Sequence, residues 1–477
     1  MHPKDSNKLM VAALNMFWSL NRGVNWTRGT SGHADHHSHA YLNGNGGDDI
    51  LIGSDGGVTL HTFSDPNKIS RINQNYKVTQ FYAGNFGPNG DSWIGGTQDN
   101  GTHRNINSTH AKVFGSDGGY SHISQQNPNL AYFSTQGGYI YRSTNYNSDN
   151  WNDTRKLISS TAMHSEGANF INQHHMNLAD GAQLYNRTTQ GLWRTIDSGT
   201  TWTKIGTLPG IHVITSSIEV NPVLYFGRSS SRIYRIDSAA TTSSMGEIAL
   251  EANRPPEANG GTVLGIAVHP TNRNTIFITY SNNSNSPRIW KIEHCDEPNN
   301  LVWTNVSGDL PTGLPVNDIA LHPQAPDSIL FAATDFGLYY STDFGTSWKK
   351  ETNIPNATIF KIEMRASDNH AFLFTHGRGV WRITASDLNQ STSIRKIEKI
   401  NFSVSPNPIV HGVFKINLTK ENAKSMICIL DLQGKIVKEW APLSNKTIDV
   451  SHLKSGMYIV NVISEYKKGT QKILISN

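Results

Sequence analysis

The chain has 477 residues, with 41 Lys+Arg against 37 Asp+Glu, a formal net charge of +4 and only 16% charged residues. No Lys/Arg stripe runs through it, which argues against nucleic acid and anionic membrane surfaces as partners. Gly (41), Trp (11) and Tyr (16) are plentiful, a balance that suits short strands joined by tight turns.

The chain opens on His2-Pro3 and an apolar stretch, Leu9 to Leu20, that follows Lys4 and Lys8. The stretch resembles the core of a signal peptide, but Asn15 interrupts it and no small-residue cleavage site follows. No run reaches the ~18 apolar residues of a membrane span. The stretch leads instead into a turn motif: Ser19, Asn21, Gly23 and Trp26. The motif returns as Thr195, Asp197, Gly199 and Trp202, and as Ser341, Asp343, Gly345 and Trp348. In each copy the Asp or Asn accepts backbone N–H groups, Gly supplies a positive φ, the hydroxyl braces the loop and Trp is an apolar plug. A Pro turn and a short β-run recur upstream, at Pro3, Pro128, Pro222, Pro270 and Pro323. The order of Pro turn, strand, Gly turn, strand, Asp turn and Trp predicts antiparallel hairpins at a period of roughly 45–50 residues. Pro3 to Trp26 spans as many residues as Pro128 to Trp151. This phase predicts a chain that begins within a blade, as an N-terminally truncated piece of a longer protein whose ring is left open or imperfectly united.

Three segments carry candidate chemistry. The first is His33-Ala-Asp35-His-His37-Ser-His39. On a strand, His33, Asp35, His37 and His39 share one face and form a candidate metal set, or else a polar rim. The second is the Asp-Gly-Gly pair at Asp55 and Asp117, with Asp99 in a Gln-Asp-Asn-Gly turn. Glycoside hydrolysis needs two carboxyl groups, so these residues and Asp35 are the candidate catalytic set, although Asp-Gly-Gly also makes a good turn. The third is His376-Gly-Arg378-Gly, near the end of the repeats. With His33 and His37, His376 and Arg378 are candidate binding residues, or Arg378 anchors the final blade.

The ordered turn copies and these segments resemble the BNR/Asp-box repeat superfamily, nearest the xyloglucanase-type glycoside hydrolases and the sortilin-type receptor propellers. The resemblance implies a seven- or eight-bladed β-propeller over residues 1–388, with the domain ends near Met1 and Ile383 and the Asp turns on its periphery. A sialidase would carry a Phe-Arg-Ile-Pro-type segment, which the chain lacks. Nor does it carry a Ser-His-Asp signature, a phosphate loop or a dinucleotide fingerprint.

A polar linker is expected at residues 389–400. Beyond it, Phe402-Ser-Val-Ser-Pro-Asn-Pro408 opens a series of alternating apolar strands that predicts a small Ig-like β-sandwich of about seven strands. Ser-Pro-Asn-Pro, Asp431-Leu-Gln-Gly-Lys435, Leu453-Lys-Ser-Gly-Met-Tyr458 and Lys472-Ile-Leu-Ile475 resemble the C-terminal sorting domain of type IX secretion cargo. That resemblance implies recognition of residues 401–477 by the translocon and export to the medium or outer-membrane surface of a Gram-negative bacterium. Cys295 and Cys428 fall in different domains, so no disulfide framework is expected. The whole chain reads as all-β. The expected function is binding or acting on polysaccharide or glycoprotein, without a cofactor, as a glycoside hydrolase if it is an enzyme. The alternative is a non-catalytic protein-binding or adhesion propeller of sortilin-like type.

Overall fold

A computed structural model describes residues 1–30, 32–42, 45–73, 78–148, 150–243, 246–258, 261–281, 286–384, 398–418, 425–432, 435–440, 447–464 and 467–476. The chain divides into two compact units, Met1–Asn389 and Gln390–Asn477. Most of the expected linker, and residues 433 and 434 of the expected turn, lie outside the described residues.

Among the described residues, the larger unit holds seven sheets in a ring: blade 1 (81–114), blade 2 (118–157), blade 3 (174–206), blade 4 (211–249), blade 5 (263–305), blade 6 (316–350) and blade 7 (358–384). Each is an antiparallel meander with its first strand innermost; blade 7 has three strands and the others four. The second strands do not alternate as a half-exposed sheet would. Leu330–Thr334 is buried at every position, because each blade is covered by a neighbour on both faces. In blade 6 the outermost strand is short and polar, Lys349–Lys350. Apolar clusters run between blades, with Phe277, Ile289 and Val306 of blade 5 meeting Val316, Leu330 and Trp348 of blade 6.

The ring closes between blades 7 and 1. Phe86 packs on Phe372 and Phe81 on Phe374. Arg365, 2% exposed, donates from Nη1 to the Gly87 carbonyl at 2.9 Å and from Nη2 to that of Gly90, with its guanidinium over the Phe372 ring. The open or imperfect ring expected from the repeat phase is therefore corrected, and so is its start near Met1. Two further sheets, 9–28 and 36–71, precede blade 1 and stand outside the ring. They share their own core of Met16, Trp18, Ile50, Ile52 and Phe63. A local hairpin pattern is the same inside and outside a ring, so the repeat alone does not say which sheet meets which.

Among the described residues, the second unit is a sandwich of a five-stranded and a three-stranded sheet. Phe414 and Ile416 face the core while Val413, Lys415 and Asn417 face out, the period of two that a half-buried strand requires. Cys295 and Cys428 are both buried, one in each unit.

Candidate active site at the junction of the second sheet and the ring

A four-stranded meander puts its second-to-third-strand turns and its inter-blade loops on one face, and its third-to-fourth-strand turns on the other. The repeated Asp turns fall between third and fourth strands, hence on the second of these faces. There they do structural work. Asp343 Oδ1 accepts from Ser341 Oγ at 2.8 Å and from the Ser347 N–H at 2.8 Å, and the Gly345 N–H donates to Ser341 Oγ at 2.8 Å. Hydrogen bonds from Ser347, foremost among these contacts, hold the Asp343 carboxyl down at about 2. Asp197 is clasped the same way by Thr195 and Thr201, and Ser19 Oγ meets Asn21 Oδ1 and the Gly23 N–H. The tryptophans of these two ring motifs then dock on the preceding blade, Trp202 Nε1 on the Ile158 carbonyl at 2.7 Å and Trp348 Nε1 on that of Val306 at 3.1 Å. Trp26, outside the ring, is 41% exposed.

The face with the inter-blade loops carries the four candidate carboxylates. Asp99 sits in the Thr97–Gly101 turn of blade 1, and Asp117 in the loop leading to blade 2. Asp55 and Asp35 occupy the corresponding turn and leading loop of the 36–71 sheet. The junction joins them. The Asn100 side chain donates to the Asp55 carbonyl at 2.9 Å, and His33 Nε2 lies 3.0 Å from the Asp99 carbonyl. Asp35 (φ 56°) and Asp99 (φ 58°) both have left-handed backbones, a conformation that Asp tolerates better than most residues and that aims a side chain out of a tight turn. Within the ring the Asp99 N–H donates to Asp117 Oδ1 at 2.8 Å. Gly96 and Gly118 allow this approach, since a Cβ on Gly96 would meet the Gly119 carbonyl oxygen at 2.0 Å. The glycine after Asp117 thus serves close blade-to-blade packing rather than a left-handed turn.

All four carboxylates are half-buried. Burial first, and then the negative charges of Asp117, Asp55 and Asp35, raise the Asp99 carboxyl above its ordinary range, with His33 opposing. Burial and the Asp117 and Asp99 charges push the Tyr82 phenol up to about 12. Among the described residues the Asp35 and Asp99 carboxylates accept no hydrogen bond, whereas Asp55 Oδ1 pairs with His37 Nε2 at 2.6 Å. A carboxyl raised by burial and by neighbouring carboxylates is the kind of group that general-acid chemistry uses.

The other candidates fall around this junction. His376 lies against Tyr82 (ring centroids 5.8 Å) and Phe360 (4.8 Å), and burial lowers its pKa. Arg378 is exposed and its guanidinium folds back onto the Gly377 carbonyl at 2.8 Å, away from any carboxylate among the described residues. The metal set is corrected. The strand begins at His36, so His33 and Asp35 precede it, and a register shift follows His36. Side chains expected on one face therefore part: His33 turns to Asp99, His37 to Asp55, and no described group of three His, Cys, Asp or Glu is placed to hold a metal. Tyr82 and Phe360 were not anticipated, because aromatic residues on inner strands read as core. No sequence motif marks the ring's central channel, lined by Tyr120, His122, His175, Asn85, Lys361 and Glu363. There Lys361 Nζ lies 2.9 Å from Asp318 and 3.4 Å from Glu363.

Residues 403–476 match the family described as the secretion system C-terminal sorting domain. Among solved structures, the GH74 xyloglucanase of Xanthomonas campestris is similar at 15% identity and a TM-score of 0.51, over 77% of this chain and 55% of that one. The chain thus spans about half the length of that enzyme. YCF48 of Cyanidioschyzon merolae is similar at 12% identity and a TM-score of 0.49, over 65% of this chain and 97% of that one. A search of curated proteins returned no match. The likeness to the xyloglucanase and the ring of meanders agree on the propeller fold, and the sorting domain fixes the destination. The chain is a β-propeller protein with a type IX secretion sorting domain, delivered to the medium or to the outer-membrane surface of a Gram-negative bacterium.

Proposed function

We propose that this exported propeller binds a polysaccharide or glycoprotein glycan across the junction of the 36–71 sheet and blade 1, and cleaves its glycosidic bonds. Asp99 is the proton donor, and Asp35 or Asp55, across the junction, is the carboxylate partner. The observation that carries this reading is the raised Asp99 carboxyl, surrounded by three further carboxylates that separate parts of the chain contribute. A glycosidase acid needs a carboxyl pKa raised above the ordinary range, and burial beside like charges raises that of Asp99. Tyr82, Phe360 and His376 add ring faces beside the carboxylates, on which sugar rings can stack. The fold shared with a xyloglucanase makes plant β-glucans the first substrates to test.

The test is reducing-end release from a panel of plant β-glucans and host glycans by the purified protein. Release that disappears in Asp99→Asn, and in Asp35→Ala or Asp55→Ala, supports the assignment. Binding without release sinks it and favours the second reading, a non-catalytic protein-binding propeller. The exposed Val11, Leu14, Phe17 and Leu20 of the first sheet favour that second reading, since several exposed apolar side chains on one small sheet suit a protein partner.

A further inference from the structure

Arg187 stands out among the second strands of the blades that end on a threonine. The second strand of a blade commonly ends on a Thr whose hydroxyl donates to a carbonyl across the next turn. Thr97 donates to Gly101, Thr188 to Gly191, Thr334 to Gly337 and Thr375 to Gly379. The residues just before these threonines are Gly96, Arg187, Ala333 and Phe374. The fold asks for no charge at this position, and blade 3 alone among these four puts one there.

The arginine is 6% exposed. Its Nη1 donates to the Ile211 carbonyl, its Nη2 reaches that of Ile171 only at 3.5 Å, and its Nε is buried without a partner. No carboxylate among the described residues pairs with it. The nearby Glu166 is engaged by Lys204 at 2.7 Å, Trp193 Nε1 at 2.8 Å and Thr188 Oγ1 at 2.5 Å. A buried guanidinium with spare donors and no counter-charge is costly, and proteins normally neutralise one. Beside it opens a cavity of about 140 Å³ between blades 3 and 4, lined by Asn169, Asn172, Thr188, Gly210 and His212. His212 stands at the mouth of this cavity, where burial, and then the Arg187 charge, lower its pKa.

We infer that this cavity is a binding site for a small oxyanion group, a carboxylate or a sulfate, held by the Arg187 guanidinium with Asn169 and His212 at its rim. A guanidinium offers a planar fork of donors matched to such a group, and a polar wall suits the hydroxyls of a sugar bearing it. The Thr188–Gly191 turn joins second to third strand, as the Thr97–Gly101 turn does, so the cavity lies on the same face as Asp99, two blades away. The inference does not depend on the carboxylate junction being catalytic.

The test is thermal melting and calorimetric titration of the full chain with sodium acetate, sodium sulfate and sodium glucuronate, against sodium chloride and glucose at matched ionic strength. A saturable rise in Tm with the oxyanions but not with chloride or glucose is expected, because a ligand that binds only the folded state stabilises it. Arg187→Met should weaken the binding at least tenfold, and Arg187→Lys should weaken it less. Glucuronate binding more tightly than acetate and sulfate identifies a sugar-borne carboxylate as the ligand; equal affinities identify a free oxyanion. Should Arg187→Met fail to fold, the 15N resonance of arginine Nε in the unsubstituted protein takes its place and should shift saturably with the same anions. Oxyanion effects no larger than those of chloride, or an unchanged affinity in a folded Arg187→Met variant, would overturn the inference.

Discussion

At the scale of single residues, one motif can stabilise or stand idle according to what lies beside it. Trp348 is 7% exposed and bonded to the preceding blade, whereas Trp26, at the same motif position, is 41% exposed. Trp348→Ala should therefore cost ~3–5 kcal/mol, the range for emptying a packed aromatic site, and Trp26→Ala less than ~1 kcal/mol. Chemical denaturation of the two variants checks this, and similar costs would mean that Trp26 is packed in solution. Asp99 is the opposite case, a residue whose charge opposes the fold. Its folded pKa is raised, so the native state holds the proton more tightly than the unfolded chain does, between the ordinary carboxylate value near 4 and the raised one. Stability is lost as pH rises through that window. Asp99→Asn keeps the shape and the tolerance for a left-handed backbone while removing the charge. It should raise Tm at pH 7, with the gain vanishing below pH ~4 where the carboxyl is protonated in both states. A Tm that stays level or falls at pH 7 would mean that the Asp99 charge is compensated. Asp99 was legible as a candidate from its turn sequence, but its company was not. Asp35 and Asp55 meet it only through packing of a sheet that the local pattern does not locate. Arg187 was missed because one arginine in a strand reads as an ordinary surface residue, and only alignment of the second strands of the blades makes it stand out.

At the scale of elements, the blades were legible because each is a local meander with its own turn residues, and periodicity reports local structure well. Ring closure was not, because it rests on contacts between distant positions, as between Arg365 and the carbonyl of Gly87, 278 residues apart. Among the described residues no strand is swapped between blades 7 and 1, and specific side chains hold the seam. Arg365 satisfies two blade 1 carbonyls and pairs with Asp368, whose carboxyl burial would raise but which the hydrogen bonds from Arg365 and His370 draw down to about 2. Arg365→Met retains the apolar contact with Phe86 and Phe372 but strands those carbonyls and leaves the Asp368 carboxylate to His370 alone. The expected cost is ~3–5 kcal/mol, that of removing one partner from a buried ionic cluster. Hydrogen exchange should show the loss first in blades 1 and 7. Protection lost evenly round the ring, or a cost under ~1 kcal/mol, would assign closure to the phenylalanine cluster alone.

At the scale of the whole molecule, the two compact units have separate cores, and the sorting match is confined to the second. Deleting residues 398–477 should leave a folded propeller held in the periplasm; normal appearance in the medium would contradict the export role of the tail. The first unit contains a further division. The sheets at 9–28 and 36–71 build their own small core, while blade 7 closes on blade 1 without them. The seam itself starts just before blade 1, where the Gly377 N–H donates to the Thr79 carbonyl at 3.1 Å. A deletion that respects the seam therefore removes residues 1–77 and begins at Val78. This shortened chain keeps the contacts of the ring and loses the half of the junction that carries Asp35 and Asp55. It should melt as one cooperative unit within a few degrees of the full propeller, because the lost sheets are packed chiefly on each other. With two like charges and part of its cover gone, Asp99 should titrate closer to the ordinary carboxylate range. Glycan release should be lost while the oxyanion response at Arg187 persists. Carboxyl NMR titration and calorimetry read these outcomes separately. Loss of cooperative melting would show that the ring needs its leading sheets, and an unmoved Asp99 would assign its raised pKa to Asp117 and burial within the ring alone.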